Sequence, residues 1–346
     1  MSRESEPVCV TGASGFVGSQ VVADLLERGH AVRGTVRNPS DHERYGFLLE
    51  LPGAAERLTL HCGQLLESGS FAEALEGCRW CIHTASPYLL DVDDPQRDLV
   101  DPAVRGTENV LQEALMAGVE RVVVTSSMAA ITDEPDADRI LTEEDWNEKS
   151  SLKRNPYHLS KVEAERTAWR LDAAHEEISI VTINPFLVIG PSLAPTLNTS
   201  NQLFVDLLAG RYPGIINMAW GVVDVRDVSR AHIRAMERVD TSGRFICVDH
   251  TLTMKEIVRI LREEGYAEGS RLPRLNLAHG YGDRLVRLLS YARPRGIGSF
   301  LRTHVGKVPR FDSTKSKRDL DMTYRPVRES IVETLIDLQR WGHLPR

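Results

Sequence analysis

The stretch Val10–Gly18, VTGASGFVG, sets three glycines, Gly12, Gly15 and Gly18, at a spacing of three behind an apolar run. The run itself, PVCVTG, reads as a short strand ending in glycine. Behind it, FVGSQVVADLLERG places Val17, Val21, Val22, Leu25 and Leu26 at helical spacing and closes on Gly29, a plausible C-cap. Strand, glycine turn and amphipathic helix form the setting in which such glycines cradle a phosphate. Gly12 permits the tight turn, Gly15 removes the side chain that would block a pyrophosphate, and Gly18 lets the helix pack close to the strand. The helix N-terminus then offers free N–H groups and a partial positive charge.

Working outward, the same alternation continues. HAVRGTVR and ERLTLHCG read as the second and third strands, FAEALEG as a short helix, and RWCIHTAS as the fourth strand. A long helix is expected over about 96–118, then strands in VERVVVTSS and ISIVTINP. Strands alternating with helices predict an α/β fold, a Rossmann-type doubly wound parallel sheet. After Pro185 prolines and glycines break the pattern, until VDVRDVSRAHIRAME and GRFICV resume it. We therefore expect residues 1–184 to form a nucleotide domain, with strands returning to it near 222–249. Residues 185–346 would be mainly a smaller α/β substrate lobe. The acidic stretch TDEPDADRILTEED reads as a solvated loop.

Composition narrows the function classes. The 346 residues hold 42 Lys and Arg against 49 Asp and Glu, a net charge of −7, which gives no electrostatic reason to bind nucleic acid. The polar start MSRESEPV is followed by no apolar signal segment, and no run is long enough to span a bilayer. A cytoplasmic protein without a membrane partner is expected. Five scattered cysteines do not suit a disulfide framework, and the pair in Cys78-Arg-Trp-Cys81 reads as buried structural thiols. HERYG and HEEIS lack the second histidine of a zinc site, and no metal is expected.

The end of the second strand selects the cofactor. An acid about 20 residues past the glycines would hold the ribose hydroxyls of NAD. Arg37 stands there instead, and no Asp or Glu occurs between Gly29 and Ser40. A guanidinium matches a 2′-phosphate, so NADP(H) is expected, with Arg44 as a second contact.

A second signal is YHLSK, which places Tyr157 and Lys161 at i and i+4, on one helix face. A nearby ammonium favours a phenolate, so such a tyrosine can exchange a proton near neutrality. A third is VTSS at the end of the fifth strand, where ligands of a doubly wound sheet sit. A serine there can hydrogen-bond a substrate oxygen beside the tyrosine.

In this order the three signals resemble the extended short-chain dehydrogenase/reductase superfamily. More narrowly, the chain looks like the dihydroflavonol reductase and cinnamoyl-CoA reductase group of NADP-dependent carbonyl reductases. The resemblance runs through HTASP, GTENVL, VVVTSS, YHLSK, INPFLVIGP and FDSTKSKRDLDMTYRPVRESI. It implies Ser127 as the group that polarises the carbonyl, with Ser126 the neighbour that could be confused with it. It implies Tyr157 as proton donor, and Lys161 as the residue that tunes Tyr157 and bonds the nicotinamide ribose. It implies a cofactor site of Gly12, Ser14, Gly15, Phe16, Gly18, Arg37, Arg44, Gln64, Leu65, Thr84, Ala85, Ser86, Thr125, Pro185 and Val188, with Asn109 in support. Tyr88, Met128, Phe186 and Trp220 are expected to line the substrate pocket.

The chain also departs from the group. Gln64-Leu65 stands where Asp-Leu commonly meets the adenine. RNPYHLSK lacks the Asn-Trp-Cys-Tyr type of signature around the tyrosine, which argues against a CoA thioester. No flavonoid-recognising asparagine can be placed in MAAITDEP. The expected activity is NADPH-dependent reduction of a hydrophobic or aromatic aldehyde or ketone, reversible as an alcohol dehydrogenase, by a monomer or homodimer. Two rivals use the same scaffold. A nucleotide-sugar epimerase or hydroxysteroid dehydrogenase/isomerase is one, and an epimerase usually has an acid where Arg37 stands. A non-catalytic NADP redox sensor is the other, and such proteins typically lose the tyrosine and lysine that this chain keeps.

Overall fold

The computed structural model describes residues 6–86, 92–136 and 138–344. Its first half runs β1 (Val8–Thr11), α1 (Phe16–Glu27), β2 (Val32–Val36), α2 (His42–Leu49), α3 (Ala54–Arg57), β3 (Leu58–Cys62), α4 (Ala72–Leu75), β4 (Trp80–His83), α5 (Asp101–Met116), β5 (Arg121–Thr125), β6 (Ile140–Leu141), α6 (Pro156–Ala174) and β7 (Ser179–Pro185). There follow β8 (Leu187–Ile189), α7 (Gln202–Leu208), β9 (Ala219–Asp224), α8 (Val225–Glu237), β10 (Gly243–Cys247), β11 (His250–Thr253) and α9 (Met254–Glu263). The chain ends with α10 (Gly280–Leu289), α11 (Arg295–His304), β12 (Arg310–Phe311), α12 (Thr314–Asp319) and α13 (Val327–Arg340).

Seven strands form one parallel sheet in the order β10-β7-β5-β4-β1-β2-β3. From β1 the chain builds one way through β2 and β3, then crosses back to β4 on the other side. That reversal opens a crevice at the carboxyl ends of β1 and β4, where ligands of such sheets bind. Side chains alternate across the sheet. Val8 and Val10 join a core with Val21, Val22 and Leu25 of α1 and Val228 and Ala231 of α8. Cys9 points to the other core, with Val110 and Leu111 of α5 and Ala168 of α6. The expected α/β doubly wound sheet is therefore present, with helices on both faces.

Beyond Pro185 the folding differs from a simple second domain. Only one residue separates β7 from β8, which enters a three-stranded sheet ordered β11-β9-β8. Of the stretch 222–249, β10 joins the large sheet and β9 lies in the small one. A separate core gathers around the small sheet, with Phe204 of α7, Ile257 and Leu261 of α9, and Leu335 of α13.

Two local expectations need correction. The helix expected over 96–118 begins as a π-helical turn, Gln96–Val100, and becomes α-helical only at Asp101. The acidic stretch at 132–145 is not simply a solvated loop. It contains β6, which pairs with β12, and it buries Asp133 and Asp145. Arg154 and Arg139 pair with those two carboxylates, which is what lets them leave solvent.

Candidate active site

The glycine turn joins β1 to α1 at the crevice. Gly12 has φ +68°, and a Cβ there would stand 2.9 Å from the backbone of Ala85. A Cβ on Gly18 would lie 2.2 Å from the Gly12 carbonyl oxygen. Both positions admit only glycine. Gly15 is exposed and begins α1 without a side-chain cap, and no acid occupies the first turn. The residues present thus fit a pyrophosphate: a cradle that side chains would fill, and a helix start with no anion of its own. Thr84 closes the turn from β4 by donating its hydroxyl to the Thr11 carbonyl at 2.7 Å.

Arg37 directly follows β2 and is exposed, as is Arg44 in the first turns of α2. Both guanidinium groups are therefore open to an incoming phosphate near the sheet edge. Arg44 also lies over the Tyr45 ring, 5.5 Å from its centroid. The Arg37 carbonyl accepts from Cys62 Sγ at 3.3 Å, which joins the ends of β2 and β3. Gln64 is exposed and donates its amide to Glu67 at 2.8 Å. Asn109 of α5 donates to the carbonyls of Leu65 and Glu67 at 3.3 Å and 2.9 Å, so it holds that loop against the sheet.

The first turn of α6 carries Tyr157. Its start is unusual, because Asn155 takes φ +47°, a left-handed conformation. Contacts on two sides hold it there. Its amide donates to Asp133 and, at 3.0 Å, to Thr303 Oγ1, while its backbone N–H donates to Ser299 Oγ at 3.0 Å. Loop and α11 together thus aim the helix that bears the tyrosine. Lys161 follows one turn later and is buried. Its ammonium donates to Ser86 Oγ at 2.9 Å and lies 5.9 Å from the centroid of the Tyr157 ring. Burial pulls Lys161 down to about 8, against the opposing pull of the Glu165 charge. His83, beneath it on β4, is pushed down to about 3 by burial and by the Lys161 cation. It is neutral there, and its Nδ1 pairs with Thr11 Oγ1 at 2.7 Å.

The two candidate serines separate cleanly. Ser126 is buried and donates its hydroxyl to Glu165. Ser127 is partly exposed and caps the short helical turn Met128–Ala130, accepting from the Ala129 N–H at 3.1 Å. As an acceptor in that bond, its hydroxyl keeps its proton for another partner. Thr125 ends β5, and its hydroxyl pairs with His232 of α8 at 2.7 Å. Pro185 ends β7 and is buried, and Val188 lies in β8.

The four pocket residues fare unequally. Tyr88 lies outside the described residues. Met128 is 1% exposed and packs with Ile131, Leu141, Ile246 and Val248 in a small core. Trp220 is 8% exposed and belongs to the core of the small sheet. Both are packing residues here. Phe186 is half-buried, its ring edge-on to Phe311 at 6.0 Å.

Beside the tyrosine, residues from distant segments gather around His158. His158 is buried among Tyr157, Phe300 and His304, with ring centroids 6.0, 5.9 and 5.6 Å away. Its Nδ1 stands 3.4 Å from Asp133 Oδ1 without hydrogen-bond geometry. Burial lowers its basicity, and Asp133 opposes that. The only signal for Asp133 was an acid in a charged loop, which is not distinctive.

Four of the five cysteines, Cys78 and Cys81 among them, are buried and unpaired, and burial pushes Cys78 up to about 12. Cys62 is exposed. Among the described residues no cluster of His, Cys, Asp and Glu could hold a metal ion, and no helix is long and apolar enough to cross a membrane.

Comparison with known proteins finds relatives of one family and one fold. The profile of the NAD dependent epimerase/dehydratase family matches residues 8–247. Cinnamoyl-CoA reductase 1 of Petunia hybrida is 38% identical over 348 residues, covering 99% of this chain and 95% of its own. A bifunctional dihydroflavonol 4-reductase/flavanone 4-reductase of Malus domestica is 37% identical over 277 residues, covering 76% of this chain and 78% of its own. Among solved structures, Gre2 of Candida albicans in complex with NADPH superposes with a TM-score of 0.80 at 30% identity, over 97% of this chain and 99% of that one. Yeast methylglyoxal/isovaleraldehyde reductase Gre2, also complexed with NADPH, gives 0.80 at 28% identity, over 98% and 100%.

Proposed function

This chain belongs to the NAD dependent epimerase/dehydratase family, and from that premise we propose that it reduces an aldehyde or ketone with NADPH, using Ser127, Tyr157 and Lys161. The carrying observation is the buried Lys161 ammonium, 5.9 Å from the Tyr157 ring centroid. A cation this close to a phenol ring supports proton exchange by that phenol. NADPH, when bound, supplies hydride to the carbonyl carbon. The Ser127 hydroxyl and the Tyr157 phenol donate to the carbonyl oxygen, and Tyr157 protonates it as charge develops. Lys161 favours the release of that proton. Arg37 and Arg44 meet the 2′-phosphate, and the glycine turn meets the pyrophosphate.

The substrate is a hydrophobic or aromatic carbonyl compound. The relatives named cinnamoyl-CoA reductase make a CoA thioester the first competitor to test, although the stretch before Tyr157 lacks that group's signature. Residues 1–184 would hold the cofactor with β10 completing their sheet, and 185–346 would mainly shape the substrate side. A cytoplasmic location and a monomeric or homodimeric state complete the reading, and fractionation and light scattering check them.

The deciding experiment follows NADPH oxidation with aromatic and branched aldehydes, ketones and a cinnamoyl-CoA thioester, with NADH in parallel. Tyr157→Phe is expected to lower kcat by about a hundredfold or more, with NADPH binding intact. Equal turnover by wild type and Tyr157→Phe would reject the mechanism. NADPH binding without turnover of any carbonyl would reject the reductase reading.

A further inference from the structure

Behind the face that Tyr157 and Lys161 present lies a carboxylate to which the proposed reaction gives no part. Glu165 stands one turn beyond Lys161, so the three residues share one side of α6. Its side chain is fully buried. Five side chains converge on it. Ser126 donates to Oε2, and Asn184 Nδ2 donates to the same oxygen at 2.8 Å. Arg244 Nε at 2.5 Å, Trp169 Nε1 at 3.2 Å and Thr182 Oγ1 at 3.2 Å donate to Oε1. The donors come from the end of β5, from β7, from β10 and from α6 itself. A carboxylate buried this deep needs partners of this kind.

One of these contacts leads on to a reacting residue. Asn184 Nδ2 also donates to the Ser127 carbonyl at 3.2 Å, so Glu165 and Ser127 share one amide. Arg244 is itself fixed from behind. It donates to the carbonyls of Glu143 and Asp145 at 2.9 Å and 2.5 Å and lies over the Trp146 ring, 4.0 Å from its centroid. We infer that Glu165 is the positioning residue of this site. Its carboxylate ties the ends of β5 and β7 to α6, so that Ser127 and Tyr157 meet one substrate oxygen, and it sets a negative charge one turn from the Lys161 ammonium. The inference rests on the reductase reading and deepens it.

The charge has a direction. The groups around Lys161 are Ser86, the Tyr157 ring, neutral His83 and Glu165, and Glu165 is the anion that favours its charged form. Arg244 faces Glu165 from β10, and Lys315 and Glu143 lie beyond it. Glu165→Gln keeps the shape, removes the charge and leaves Arg244 unpaired. Both changes push Lys161 further down, so the alkaline limb of activity moves to lower pH.

The test is carbonyl reduction by full-length wild type and Glu165→Gln across pH. NADPH affinity is read by fluorescence, and the Lys161 titration by NMR of protein labelled at lysine 13Cε. We expect kcat to fall about tenfold or more, the scale of a misplaced reacting group. NADPH affinity should stay within about twofold of wild type, and both the alkaline limb and the Lys161 titration should shift down. Unchanged kcat and limb, or lost stability with an unmoved limb, would overturn the inference. The NMR titration needs no turnover, so an unmoved Lys161 overturns it even if the reductase reading fails. Should Glu165→Gln not fold, Ser126→Ala removes one donor and keeps the charge. A loss of about two- to fivefold in kcat with the limb in place is then expected. Wild-type kcat, or the total loss expected of Ser127→Ala, would overturn it.

Discussion

Lys161 makes the sharpest pH prediction in the molecule. Its folded-state value is lowered from 10.5 to about 8, mainly by burial, so its cation is present below that pH and lost above it. Carbonyl reduction is therefore expected to fall as pH rises through about 8, and kcat measured against pH checks it. At the far side of the cofactor site, Arg37→Ala is expected to weaken NADPH about ten- to hundredfold, the worth of one or two charge-assisted hydrogen bonds. NADH should be unaffected, since it has no 2′-phosphate, and parallel titrations would show the difference. Tyr157 and Lys161 were legible because an i, i+4 pair is a local property of a helix. Met128 and Trp220 are buried in cores, a placement the sequence leaves open because apolar side chains suit a pocket and a core equally well. Which one they join depends on strands far away in sequence.

At the scale of single elements, the β1–α1 joint is the least tolerant. Gly18→Ala forces a Cβ to within 2.2 Å of the Gly12 carbonyl, so α1 must move away from β1. A loss of about 1–3 kcal/mol is expected, read by urea denaturation, together with weaker NADPH binding. A remote element gives a contrasting case. Thr253 and Glu256 form a reciprocal capping box at the start of α9. Thr253→Ala should cost about 1 kcal/mol and leave kcat alone. The strands of the large sheet were readable as short apolar runs between turns. The small sheet was not, because the prolines and glycines of 185–227 hide strands as brief as Leu187–Ile189. The π-helical turn at 96–100 leaves no periodic trace that separates it from the helix it opens.

For the whole molecule, contacts run across residue 185, from the first half to the segment near 222–249 that is expected to return to it. Arg121 of β5 is buried, and its guanidinium donates to the carbonyls of Ala235, Val239 and Thr241 at 2.7, 2.9 and 2.8 Å. Those carbonyls belong to the end of α8 and the turn into β10, so one side chain in the first half fastens the return of the second. β10 then pairs along β7 from Gly243 to Cys247.

That pairing limits how such a chain can be recombined. Exchanging everything after residue 184 for the matching part of a relative would replace an edge strand and the loop that Arg121 grips, as well as the substrate side. A donor segment that preserves residues 225–248 and replaces only what surrounds them respects the seam the backbone has drawn. The natural place to graft new substrate preference is thus a pair of inserts flanking that retained stretch, rather than a single tail.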